Sequence, residues 1–219
     1  MNLNFLSAQT YFFPLYLFPD DENSEKLFDQ KSAKKVPNLN PEILKKIETK
    51  LNLKFGKDFS SENLFDYIYA VLHAPKFRKK FREFLKIDFP KIPFECGAET
   101  FFKLAELGEK LRKLHLLEFE ISEQKNIPIF DGDGNFENKI EFVKLENGEI
   151  KINDGQFFAG VEKEIWEFPI GGYFPAQKFL KDRKNRQLST DEVFHFQKIL
   201  ISIRETIFLM REIDTVFEF

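Results

Sequence analysis

The chain has 219 residues, a formal charge of −3, 42% hydrophobic residues and 29 phenylalanines. This apolar content is enough to offset chain entropy, which argues against a disordered chain, and the length suits one domain, or a helical lobe plus a smaller β-containing lobe. One cysteine, Cys96, excludes an internal disulfide, and with three scattered histidines (His73, His115 and His195) it cannot supply a Cys/His zinc site.

In chain order, Asn4 to Phe18 is aromatic and partly alternating, interrupted by Pro14, and predicts a short edge strand or extended segment. Asp20 to Leu39 is polar and turn-rich. Pro41 suits a first helical turn, so a helix is predicted from there to about Leu53. A second helix is predicted from Ser61 to Ala74, with Leu64, Ile68, Val71 and Leu72 inward. Pro75 ends it and opens another, whose Phe77, Phe81, Phe84 and Leu85 form an apolar stripe opposite Arg78, Lys79 and Arg82.

Pro90 and Pro93 then break the chain before a long helix from Ala98 to Glu118. Its Leu104, Leu107, Leu111 and Leu114 recur at core-packing spacing. Ile121 to Gly160 changes character: Asp-Gly and Asn-Gly pairs separate short β-prone runs, and Ile140 to Ile152 reads as a hairpin turning at Asn147-Gly148. Ser189 and Glu192 form a capping box for a final helix to about Asp214, with Val193, Phe196, Leu200, Ile203, Ile207 and Met210 inward. The expected class is α+β and mostly helical. The helical scaffold covers about 41–118 and 174–214, and a small β-hairpin or sheet insert covers about 121–168.

The charge is unevenly placed. Lys76 to Lys91 holds seven cations against Glu83 and Asp88, and Lys178 to Arg186 holds five against Asp182, leaving an acidic remainder. Such asymmetry suits one basic face and an acidic back, provided the fold brings the two segments together. Around the second segment, Trp166 reads as a core anchor and Gly171-Gly172 as a turn. Tyr173 and Gln177 can bond base edges or sugars, while Lys178, Lys181, Arg183, Lys184 and Arg186 can neutralise phosphates. By side-chain geometry Gln177 suits adenine, and Arg183 and Arg186 suit guanine or phosphate. The bland alternative is a solvated helix end.

Catalytic chemistry is not legible. Asp131-Gly132-Asp133-Gly134-Asn135 opens like a calcium loop, but Phe136 and Phe142 stand where Gly and a bidentate Glu are needed, so it reads as a surface turn. No phosphate loop or dinucleotide glycine motif is present, and His115 on a leucine-rich helix reads as structural. No apolar run approaches the roughly 18 residues of a spanning helix, and the N-terminus lacks the pattern of a signal peptide. A cytoplasmic protein with no membrane contact is the expectation.

Several blocks occur together and in order: Tyr11 to Tyr16, Phe65 to Pro75, Phe84 to Pro93, Leu107 to Glu118, and Trp166 to Met210. Together they resemble the C-terminal target-recognition, or specificity, domain of type ISP restriction-modification enzymes and related adenine-specific DNA methyltransferases. The resemblance implies a non-catalytic domain that binds double-stranded DNA. It also implies a parent polypeptide with nuclease, helicase-like, coupler and N6-adenine methyltransferase parts upstream. The family's Asn-Pro-Pro-Tyr/Phe loop and S-adenosylmethionine loop are absent here, so no cofactor is expected in this chain and S-adenosylmethionine is expected in the parent's methyltransferase part. The matching blocks are largely core, which places readout in the 121–160 insert and the turn after Gly171. A rival reading is a protein-interaction module that docks onto the methyltransferase or coupler parts without reading bases.

Overall fold

A computed structural model of the chain describes residues 12–18 and 35–217. Among these, seven α-helices and two small antiparallel sheets give an α+β, mostly helical architecture. The expected N-terminal extended segment survives as β1 (Tyr16–Leu17), whereas its residues 4–11 lie outside the described residues. β1 pairs with β2 (Val36–Pro37), which falls in the stretch expected to be turn-rich. A proline contributes no donor, which suits Pro37 to the two-stranded ribbon it occupies.

Local signals place the helix starts well. Helix α1 (Pro41–Leu51) begins with proline, and the Asn40 side-chain oxygen accepts from the amides of Glu42 and Ile43. It stops before the expected Leu53 because Asn52 adopts the left-handed conformation. Helix α2 (Ser61–His73) carries a Ser60/Asn63 capping box. Helix α3 (Pro75–Lys80) is much shorter than the expected amphipathic helix. Cations crowd its only turns and no acidic residue sits in the first, so neither the macrodipole nor its length sustains it. Only Phe77 of the predicted apolar stripe is buried; Phe81 and Phe84 are exposed, and Arg82 falls in the turn beyond the helix.

Helix α4 (Ala98–His115) buries Leu104, Leu107, Leu111 and Leu114 as expected. It packs closely against α2 because Gly108 has no side chain: a Cβ there would lie 1.8 Å from the Asp66 carbonyl oxygen. Across the same contact, Arg112 donates to both carboxylate oxygens of buried Asp66, at 2.7 and 3.1 Å. Tyr67 of α2 packs its ring against Phe101 of α4 and Phe94 of the segment that precedes α4.

The insert forms a four-stranded sheet of β3 (Ile129–Gly132), β4 (Lys144–Glu146), β5 (Glu149–Lys151) and β6 (Gln156–Ala159), in the order β3-β6-β5-β4. The predicted hairpin is β4–β5, narrower than 140–152, and it turns on Asn147 and Gly148, both at positive φ. Ile140 pairs instead with the backbone of Asn185 and Arg186. Helices α5 (Lys163–Trp166) and α6 (Pro175–Lys181) follow, and α7 (Thr190–Val216) is capped by Ser189 and Glu192.

Two hydrophobic cores result. One gathers the sheet, α5, α6 and Val193 to Ile207 of α7; the other gathers α1 to α4 with Ile213 of the same helix. Trp166 is buried in the sheet core, the anchoring role its residue type predicted. No helix among the described residues is long and apolar enough to cross a membrane.

Candidate nucleic-acid interface

The first basic segment meets the turn that precedes the second, and no cation of Lys178 to Arg186 lines the cleft where they meet. A cleft of about 600 Å³ between the cores is lined by Arg78 from α3 and by Phe168 to Gly171, the turn that leads into the second segment. Lys79, beside Arg78 on α3, and Arg82 in the next turn are exposed but do not line this cleft. Among the described residues, Arg78, Lys79 and Arg82 form no side-chain hydrogen bond or ion pair.

The turn closes on itself through Ile170 and Tyr173: the Ile170 amide donates to the Tyr173 carbonyl at 2.9 Å, and the Tyr173 amide donates back at 3.3 Å. This leaves the Tyr173 ring about half exposed, at 49%. Tyr173, Gln177, Lys178 and Lys181 then line a shallow concavity of about 210 Å³ along α6. Proline at the first position of α6 fixes where that face begins.

Their polar atoms are largely committed. The Gln177 amide donates to the Trp166 carbonyl at 3.2 Å and accepts from Lys181 at 2.9 Å. Lys178 pairs with Asp182 at 2.7 Å, both side chains being about half exposed. Such exposed pairs contribute about 0–1 kcal/mol and exchange readily for a phosphate.

Arg183 is held differently. Its guanidinium lies 3.7 Å from the Phe179 ring centre, donates to the Phe179 carbonyl at 3.0 Å, and donates to Glu192 at 2.9 Å. Arg186 shares the same Glu192 oxygen at 3.1 Å but keeps an exposed side chain. The Ser189 amide first, then the Arg183 guanidinium, hold the Glu192 carboxyl below the usual range. Arg183 therefore staples the α6–α7 connection and is poorly placed to reach a base, whereas Lys184 beside it is exposed and its side chain forms no hydrogen bond or ion pair among the described residues.

The opposite wall of the cleft was only partly visible in the sequence. The Tyr69 hydroxyl lies 2.6 Å from His115 Nδ1, and His115 Nε2 lies 3.0 Å from the Thr206 hydroxyl, a chain that ties α2, α4 and α7 together. A neutral imidazole satisfies both bonds, accepting from tyrosine and donating to threonine. Burial in the cleft wall, then the neighbouring His73, lower the His115 pKa to about 4. Burial also lowers that of His73, whose Nδ1 bonds the Tyr69 carbonyl at 2.8 Å. The structural reading of His115 thus has a partner set. The spacing of Tyr69 and His73, one helical turn apart, was the signal that could have located this wall.

Asp131 and Asp133 turn their carboxylates onto the amides of Gly132 and Asn135, the local geometry of a plain turn.

Fold and surface define a class: a two-core α+β domain that presents unpaired cations and a half-exposed tyrosine on either side of the Gly171 turn. More narrowly, the Type ISP C-terminal specificity domain model matches residues 1–212, and the chain belongs to that family. Three solved structures share the fold. A DrdV–DNA complex has 20% identity over 91% of this chain, with a TM-score of 0.65. The ATP-dependent Type ISP restriction-modification enzyme LlaBIII bound to DNA has 19% identity over 94%, also at 0.65. A nuclease-deletion mutant of the Type ISP enzyme LlaGI, in complex with a DNA substrate mimic, has 19% over 71%, at 0.51. The chain spans only 21%, 14% and 14% of those polypeptides respectively. No curated protein matches it significantly.

Proposed function

We propose that this chain is the non-catalytic part of a restriction-modification enzyme that recognises a target sequence in double-stranded DNA. In this reading N6-adenine methylation, its S-adenosylmethionine and the nuclease-helicase and coupler parts belong to residues outside this chain, in a cytoplasmic enzyme. Residues 1–219 act as one recognition unit. The observation that carries the reading is the family match over residues 1–212, joined to a surface on which the unpaired Arg78 borders the Gly171 turn.

Arg78, Lys79, Arg82 and Lys184 are the phosphate grips, because no internal bond has to be broken to use them. Lys178, Lys181 and Arg186 join them at small cost, through exposed pairs. Tyr173 and Gln177 face the duplex from the α6 concavity, while Arg183 holds the loop that presents them. Phosphate contacts set register, and the turn and insert side chains supply base readout.

A second role is supported by exposed apolar side chains from the first described segment and from the loop before α4. Phe12, Phe13, Ile87 and Phe89 are 88%, 72%, 83% and 55% exposed, and Phe13 meets Phe89 edge-on at 5.6 Å. Such a patch suits docking against another part of the parent enzyme alongside DNA binding.

Selection from a randomised duplex pool at two salt concentrations tests the reading. An enriched motif and affinity that falls with salt are expected. Absence of duplex binding, with a salt-insensitive complex formed instead with the parent's catalytic parts, would overturn it in favour of a docking module.

A further inference from the structure

The interlobe cleft has a composition that phosphate gripping alone does not explain. Its volume, about 600 Å³, falls within the roughly 300–1,000 Å³ typical of small-molecule sites. One wall is a cluster of aromatic rings: Tyr69 lies 4.4 Å from His73 and 5.7 Å from His115, centre to centre, and the two imidazoles are 5.2 Å apart. Phe168 and Ile170 of the turn and Met210 of α7 line the same cleft. Arg78, with no ion-pair partner among the described residues, stands on the lining as its one cation.

These features match the parts of a nucleotide. Flat aromatic and imidazole faces stack on a base, and an uncommitted guanidinium meets a phosphate. Burial keeps the imidazoles neutral at physiological pH, so the stacking wall adds no charge that would compete with Arg78 for the anion. The wall's own polar groups are largely spent on one another: Tyr69 on His115, His115 on Thr206, and the Ser202 hydroxyl on the Leu114 carbonyl. His73 uses Nδ1 on the Tyr69 carbonyl, which leaves Nε2 as the acceptor without a partner among the described residues. The cleft therefore supplies stacking and one charge, with almost no code for telling bases apart.

We propose that this cleft seats a single nucleotide, its base against the Tyr69–His73–His115 wall and its phosphate at Arg78. The inference rests on the DNA-recognition reading, and it takes the nucleotide from a strand of the bound DNA, extruded from the stack at a cost of a few kcal/mol. The same chemistry would admit a free mononucleotide.

The test titrates the chain with dAMP, dCMP, dGMP and TMP and with the matching deoxynucleosides, following the His73 and His115 ring resonances by NMR. Expected are saturable shifts with all four nucleotides and little difference among bases. Each nucleotide should bind roughly fivefold or more tighter than its nucleoside, the scale of one charge-assisted contact. Arg78→Gln removes that advantage, and Met210→Trp, which fills the cleft, abolishes the shifts. Arg78 is exposed, so its variant keeps the test alive if Met210→Trp does not fold.

Duplex binding measured alongside separates the sources. Tighter binding of a duplex carrying one mismatched, easily extruded base, lost in Met210→Trp, assigns the nucleotide to DNA; equal binding of matched and mismatched duplexes assigns it to the free pool. A chain that binds duplex but shows no saturable mononucleotide shift overturns the site and leaves the recognition reading standing. A chain that binds mononucleotides but no duplex overturns the recognition reading instead.

Discussion

The helical core and the sheet core of this molecule are built on different principles. In the helical core, α2 and α4 approach at Gly108, the Asp66–Arg112 pair locks their register, and stacked aromatics fill the remainder. In the sheet core the strands have only three or four residues each, and buried polar side chains organise the turns: Gln156 accepts from the Asn138 amide and Asn153, and donates to Asn138. Most positive-φ residues sit there too, Asn126, Glu137, Asn138, Asn147 and Asn185 among them. The contrast teaches a division of labour. One half is a close-packed scaffold with little tolerance for change, while the other carries turns whose tips can vary without disturbing a core.

The sharpest way to break that comparison is at Gly108. Gly108→Val forces a side chain into the Asp66 backbone, and destabilisation on the order of 3 kcal/mol is expected by chemical denaturation. Amide exchange protection in α2 and α4 should fall further than in β5 and β6. Equal loss in both halves would show that they unfold as one unit.

Asp66→Ala comes next. It leaves Arg112, whose side chain is 28% exposed, without its partner. A loss of about 2 kcal/mol is expected, less than for a fully buried pair.

In the other half, Arg183→Ala removes a staple and Lys184→Ala removes a free charge. The first should cost about 1 kcal/mol of stability. The second should leave the melting temperature unchanged while weakening duplex binding and lowering the salt slope by about one. Reversal of the two phenotypes would place Arg183 at the DNA and Lys184 in the fold.

A further effect is a pH dependence located at the junction of the halves. His115 titrates near 4 when folded and near 6.5 in an unfolded chain. The unfolded state therefore binds more protons between those values, and stability that is present above pH 6.5 is lost progressively as the pH falls toward 4. His73 adds in the same direction. His115→Gln should flatten the slope of melting temperature against pH within that window, which a thermal scan series would check.

Much of the fold was legible in particular residues. Pro41, the leucines of α4, Asn147-Gly148 and Ser189 with Glu192 each carry a local physical signal, and each sits where that signal placed it. The failures share a cause. The α3 helix looked longer because Phe77, Phe81, Phe84 and Leu85 keep helical spacing, but only Phe77 is fully buried, Leu85 is partly so, and Phe81 and Phe84 stay exposed. Strand β2 carries no pattern of its own and exists through its pairing with β1.

For the candidate site, the residue types were visible and their commitments were not. Glu192 was legible as a capping residue, yet its use of Arg183 and Arg186 depends on how the α6–α7 loop folds back. By itself, then, the amino-acid sequence determined the helix starts, the hairpin turn, the α+β class and the likeness to a specificity-domain family, because caps, periodicity and ordered sequence blocks are written in residues close together in the chain. Tertiary structure alone decided which cations are free, that α7 serves two cores, and that Arg78 meets the Gly171 turn across a ring-lined cleft. Those outcomes depend on contacts between residues far apart in the chain, whose pairing exists only once both cores have closed.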